Sequence, residues 1–197
     1  ALGGIVGYTY GTVENCYSTA KIASNLGKHS YGIGGLVGGL NGGGSVKDCY
    51  AAATLSSKDA NLGAFVGIRN ASAAVSGSYY LSSAADKAVG NGAMSGLTGM
   101  TEADMKDQAF IQNQLGMERY HRDTENINSG YPIFAWQGGS PVEVSEDEKN
   151  ATLDVQAITL RDLDQAAEIE RLRAEANAEV DDMLDDLTLT EINEYLE

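Results

Sequence analysis

The sequence predicts a mainly β chain: a β-solenoid (parallel β-helix-like) of Gly-rich repeats with a short capping helix, followed by a small acidic α-helical C-terminal segment. Three observations carry this. A pair of short apolar segments recurs three times at intervals near 30 residues. All 24 glycines lie at or before Gly139. Charge divides at the same place: residues 1–140 hold 10 Asp or Glu against 9 Lys or Arg, residues 141–197 hold 18 against 4, and the tail therefore supplies nearly all of the net −15. With 197 residues the chain can form one domain or two small ones. The expected organisation is a repeat domain over 1–140, with repeats at about 1–30, 31–60 and 61–90 and a cap at 95–139, then a linker and acidic helical segment over 141–197.

The repeat comes first because it decides the fold. Gly3-Gly4-Ile5-Val6-Gly7 recurs as Gly34-Gly35-Leu36-Val37-Gly38 and, weakened, as Leu62-Gly63-Ala64-Phe65-Val66-Gly67. A second segment, Val13-Glu14-Asn15-Cys16-Tyr17, returns as Val46-Lys47-Asp48-Cys49-Tyr50 and Val75-Ser76-Gly77-Ser78-Tyr79. The first segment repeats at offsets of 31 and 29 residues and the second at 33 and 29, so the loop between them varies while both segments persist. Each unit reads as two short strands and turns, since Val, Ile and Tyr favour the pleated state and Gly-rich stretches supply turns. So small a unit cannot bury its own apolar face, and stacked neighbours must share a core. Stacking about 4.8 Å apart predicts ladders: Ile5, Leu36 and Ala64; Val6, Val37 and Phe65 or Val66; and Tyr17, Tyr50 and Tyr79.

These residues resemble the GLUG motif, whose core reads Gly-Gly-Leu-Val-Gly followed by an Asn-Cys-Tyr element, over roughly residues 1–81. The third unit departs from it, with Ala64 for the second Gly and Ser78 for Cys. The resemblance implies a piece of a large bacterial surface protein, or a neighbour of IgA-specific metallopeptidases, and brings no catalytic residues.

After the repeats, Thr101-Glu102-Ala103-Asp104 is a capping-box-like start, and Met105, Ala109, Ile111 or Gln112 and Leu115 follow at helical spacing up to Gly116. Residues 131–136 read as a strand after a turn at Asn128-Ser129-Gly130. The cap is expected to close the solenoid end, where unpaired strand groups invite aggregation. Beyond Pro141 a polar linker leads to a helix opening at Thr159, whose Ile169, Leu172, Ala176, Val180, Met183 and Leu187 share one face. A second helix is expected after Thr190.

Chemical motifs are sparse. The Gly-x-Gly pairs at 32/34, 42/44 and 90/92 lack the sixth-position Gly of a dinucleotide fingerprint; Val37, Lys47 and Ser95 stand there. Neither His-Glu-x-x-His nor Gly-x-Ser-x-Gly occurs, and the two histidines, His29 and His121, are far apart. Cys16 and Cys49 would be neighbours on successive rungs, within reach of a disulfide or simply buried, and Ser78 in the third unit favours a packing slot. Asp181-Asp182 and Asp185-Asp186 raise calcium, but they lack the alternating ligands and Gly of a calcium loop and read as a solvated face. The tyrosines, including Tyr8, Tyr10, Tyr31 and Tyr80, either pack in ladders or present rings to sugars or proteins.

The expected function is therefore a non-catalytic structural or adhesive repeat module of a larger bacterial cell-surface or secreted protein. The rival reading is an accessory domain of a secreted enzyme, IgA-directed or polysaccharide-acting. No catalytic, cofactor-binding or metal residue is assigned, no cofactor is expected, and the binding surface is undefined at this level. Expected partners are a host protein or glycan and the rest of the same long polypeptide. Nucleic acid is excluded for want of clustered Lys and Arg, and no run is apolar enough to insert in a membrane. The expected location is extracellular or at the bacterial cell surface.

Overall fold

The computed structural model describes residues 1–24, 32–57, 61–145, 165–175 and 177–178. The chain separates into two compact units, Ala1–Val142 and Glu143–Glu197.

Most of the regular structure in the first unit is strand. Where the sequence shows two segments per repeat, the chain makes more numerous, shorter strands. Repeat one contains β1 (Leu2–Gly3), β2 (Val6–Thr9), β3 (Thr12–Glu14), β4 (Tyr17–Ser18) and β5 (Lys21–Ser24); repeat two contains β6 (Ile33–Gly34), β7 (Val37–Leu40), β8 (Ser45–Lys47), β9 (Tyr50–Ala51) and β10 (Thr54–Ser57). Repeat three supplies β11 (Leu62–Gly63), β12 (Val66–Arg69), β13 (Ala74–Ser76) and β14 (Ser78–Leu81). Each strand pairs in parallel with its counterpart in the next repeat, giving the sheets β1-β6-β11, β2-β7-β12, β3-β8-β13 and β4-β9-β14, with β5 on β10. Val89, at the end of the third repeat, bridges Val66, and a further strand from the expected cap, β15 (Leu97–Met100), pairs in parallel with β14 and extends that ladder.

Register follows the repeat. Val6, Val37 and Val66 are partners, as are Val13, Val46 and Val75, and Tyr17, Tyr50 and Tyr79. One expected ladder is corrected. Ala64 falls level with Gly4 and Gly35, and Phe65 takes the place of Ile5 and Leu36, directly before the paired valines. The interior is thus Leu36, Val37, Val46, Cys49, Phe65, Val66 and Val89, with Leu36, Val37, Phe65 and Val66 fully buried. Ile5, on the first rung, is 46% exposed because no rung covers it among the described residues.

The motif glycines have a steric reason. At Gly3, Gly34 and Gly63 an added Cβ would overlap the carbonyl oxygen of the residue three positions on, Val6, Val37 and Val66 respectively. The chain turns too tightly there for a side chain.

The cap also differs from expectation. Thr101 does cap α1 (Glu102–Lys106), its hydroxyl accepting from Asp104 N at 3.2 Å. The helix then breaks at Asp107, which is extended (ψ 144°) and caps a short α2 (Gln108–Phe110) by accepting from Ala109 N at 2.8 Å. A π-turn over Ile111–Leu115 follows. Asp competes for backbone N–H groups and so interrupts a helix. The break changes the inward face: Phe110 is buried and Ala109 exposed. The expected strand at 131–136 shrinks to β17 (Ile133–Phe134), antiparallel to β16 (Tyr120–His121), before a 3₁₀ turn at Ala135–Gln137.

Of the expected cap, β15 sits on the last rung of its sheet, while the residues from Met105 to Phe134 pack along the flank that carries the tyrosines. Strand alternation sends Cys49 and Ala51 into the interior and Tyr50 outward. There Tyr50 packs in a second cluster with Met105, Phe110, Ile111, Leu115 and Tyr120. Covering a row of three tyrosines removes large apolar rings from water.

In the second unit, residues 165–175 and 177–178 are helical and exposed. Arg171 pairs with Glu168 at 2.6 Å and Glu175 at 2.7 Å. Ile169 and Leu172 are each 51% exposed. The rest of the apolar stripe (Ala176, Val180, Met183 and Leu187), the helix start at Thr159, the Asp181–Asp186 acidic group and the second helix after Thr190 lie outside the described residues.

Candidate functional site

The tyrosine flank is a structural seam. Tyr17 and Tyr50 stack at 5.1 Å with planes 4° apart, and Tyr79 meets Phe110 edge-on at 5.2 Å. Tyr50, fully buried, donates its hydroxyl proton to Pro132 O and accepts from Asn128 Nδ2 at 3.2 Å. Tyr17 OH donates to Gln137 Oε1 at 2.8 Å, Thr19 OH to Asn128 Oδ1 at 2.6 Å, and the Arg119 guanidinium to Asn15 Oδ1. Of the two readings of these residues, ladder packing describes Tyr17, Tyr50 and Tyr79. Burial raises the Tyr50 hydroxyl well above the usual phenol range.

The thiols belong to the same ladder. Cys49 Sγ–H donates to Lys47 O at 3.0 Å and its sulfur accepts from Cys16 N at 3.3 Å; Ser78 Oγ donates to Ser76 O at 2.9 Å and accepts from Cys49 N at 3.3 Å. One hydrogen-bond pattern therefore repeats along the stack, with Ser able to replace Cys. Both thiols are free, and desolvation pushes that of Cys49 up to about 12, which suppresses the thiolate. The residue before each, Asn15 (φ 52°), Asp48 (φ 50°) or Gly77 (φ 54°), is left-handed. These residue types tolerate that conformation best. The Asn, Asp, Gly series was visible in the repeats, but its meaning as a corner went unread.

Among the described residues no group of three or more His, Cys, Asp or Glu could hold a metal ion, and no helix is long and apolar enough to cross a membrane. His121 Nδ1 lies 3.1 Å from Gly138 O; His29 and Tyr31 fall outside the described residues.

A different surface offers free polar groups. Where β2, β7 and β12 end, a cleft of about 260 Å³ is lined by Tyr8, Leu40, Asn41, Asn61, Ile68, Arg69, Asn70 and Asn91. Tyr8 lies across Gly39, where a Cβ would strike its ring, and is 48% exposed; Tyr10 meets it edge-on at 5.6 Å. Asn41 Nδ2 donates to Tyr8 OH at 2.6 Å, and a hydrogen bond to the Tyr10 side chain holds the Tyr8 phenol above its ordinary pKa. Asn91 grips the backbone of Arg69, its Oδ1 accepting from Arg69 N at 2.8 Å and its Nδ2 donating to Arg69 O at 3.0 Å, as a further strand would. Arg69 Nε is buried without a hydrogen-bond partner. Arg69 carries the one charged side chain among the cleft's lining residues. Asn41 and Asn70 follow the paired Leu40 and Arg69, an equivalence the structure supplies, and Asn91 reaches the cleft only through stacking.

A second cleft, of about 350 Å³, lies beside the cap helices between Met100, Asp104, Asp107, Phe110 and Asn113. Asp104 and Asp107 there are engaged in the helix caps already described.

The geometry defines a class: short Gly-rich repeats whose equivalent residues pair in parallel, held by a Val ladder inside and a Tyr ladder outside. Residues 1–23 and 29–56 match the family model described as the GLUG motif, so the chain carries two GLUG motifs in its first two repeats. Comparison with curated proteins and with solved structures gives no match.

Proposed function

We propose that the repeats form a β-solenoid acting as a non-catalytic structural or adhesive module of a larger bacterial cell-surface or secreted protein. One observation carries this reading: equivalent residues of GLUG-matched repeats pair in register, strand after strand, and the side chains that recur are those the ladders use. Cys16, Cys49, Tyr17, Tyr50 and the motif glycines are each engaged in packing, corner formation or the hydrogen-bond ladder. An additive stack of this kind suits a stalk or extended binding surface. The test is to treat intact bacteria producing the full polypeptide with a protease and identify the released peptides. Peptides from the 1–142 region should appear in the released fraction or the medium. Their confinement to the cytosol of lysed cells would refute the reading.

A further inference from the structure

The amide-lined cleft holds an unspent positive charge. Among the described residues Arg69 makes no ion pair, its Nε is buried and unpartnered, and no carboxylate lines the cleft. An unsatisfied buried donor carries a desolvation penalty that a ligand acceptor would relieve. Around it stand groups suited to neutral hydroxyls. The Asn61 side chain makes no hydrogen bond among the described residues, and Asn70, whose Oδ1 accepts from Ser72 N at 3.3 Å, keeps its amide donors free. Tyr8 adds a half-exposed ring, its hydroxyl being held by Asn41 and Tyr10. Asn91 holds the Arg69 backbone in place, so the guanidinium is presented from a fixed point.

We propose that this cleft binds an acidic sugar residue, with the sugar carboxylate on the Arg69 guanidinium, its ring hydroxyls on Asn61 and Asn70, and its ring face beside the half-exposed Tyr8 ring. The planar guanidinium fork matches a carboxylate in two parallel hydrogen bonds. Neutral amides donate and accept, as hydroxyls do, and so suit a polyol better than a second anion would. The volume of about 260 Å³ is at the small end for ligand clefts, which favours a single ring of a longer glycan. The proposal deepens the reading of the chain as a surface module and rests on it only for access to extracellular glycans.

The test uses the whole chain and two probes, tri-galacturonate and the neutral maltotriose, in calorimetric and NMR titrations. Tri-galacturonate should bind and shift the Arg69 Nε–H resonance, and maltotriose should bind at least about tenfold more weakly, the scale of a charge-assisted hydrogen bond. Arg69→Gln should cost about tenfold or more, and Arg69→Lys should recover little because the fork is lost. Asn70→Asp keeps the acceptor for Ser72 and sets a carboxylate in the cleft; it should suppress uronate binding while leaving the melting temperature unchanged. Equal affinity for both probes, an unmoved Arg69 resonance, or full binding by a folded Asn70→Asp variant would overturn the proposal. These outcomes are read on isolated protein, so they stand apart from the protease test of location.

Discussion

Gly34→Ala is the sharpest test of the stacking. Gly34 lies in the middle strand of the sheet β1-β6-β11, paired with Gly3 on one side and Gly63 on the other. A methyl group there would overlap Val37 O and approach Gly67 N to 2.6 Å and Phe65 O to 2.7 Å. All three are backbone atoms inside parallel ladders, and Phe65 O already accepts from Leu36 N and Val37 N. No side chain can rotate away, so relief requires moving a rung and lengthening those hydrogen bonds. Overpacking in cores costs about 1–3 kcal/mol, and a clash with backbone on two sides belongs at or above the upper end. We expect a loss of about 3 kcal/mol or more, or roughly 10 °C in melting temperature for a unit of this size. Gly43→Ala is the control: its φ of 80° strains an L residue, but nothing stands near the added methyl, and about 1 kcal/mol is expected. Urea titration followed by far-ultraviolet circular dichroism measures both. If Gly34→Ala falls within about 1 kcal/mol of wild type, the tight turn is not what selects glycine and the steric reasoning fails.

Other outcomes follow from the same contacts. Tyr50→Phe should cost only about 1 kcal/mol, because Pro132 O keeps its bond from Asn128 Nδ2 at 3.1 Å, whereas Tyr50→Ala should cost about 3–5 kcal/mol by opening a cavity between stack and cap; denaturant titration separates the two. Cys49→Ser should be tolerated within about 1.5 kcal/mol, since Ser78 already makes the same two hydrogen bonds one rung on, and a thiol reagent at pH 8 should leave Cys49 unmodified in the folded protein. Stability should also fall in alkali. Burial raises Cys49 from 9.0 to about 12 and lifts Tyr50 and Tyr120 above the usual phenol value, so the folded state retains protons that the unfolded state releases. The stabilisation is complete below about pH 9 and is lost as pH rises toward 12. Tyrosine ionisation followed by absorbance should coincide with loss of the β signal; full ionisation of a still-folded chain would contradict the burial.

What was legible in the sequence was everything periodic. Offsets of 29, 31 and 33 residues carry strand pairing directly, because equivalent residues of adjacent repeats become neighbours one strand spacing apart. Thus the Tyr17-Tyr50-Tyr79 ladder could be written down beforehand, and so could the Thr101 cap, a signal confined to four residues. The valine ladder stayed open between Phe65 and Val66, and Ala64 was set with Ile5 and Leu36; hydrogen-bond register decides both, pairing Val66 with Val37 and placing Phe65 on the Leu36 rung. Contacts without a period were decided by the tertiary structure. Tyr17 reaches Gln137 across 120 residues, and nothing local says that residues 101–142 cover a flank and not an end. That choice is made only once the repeats have stacked and the tyrosines stand in one row. The cleft also needs the stack: Asn61, Arg69 and Asn70 come from the third repeat, Asn41 from the second, Tyr8 from the first and Asn91 from the segment after the repeats.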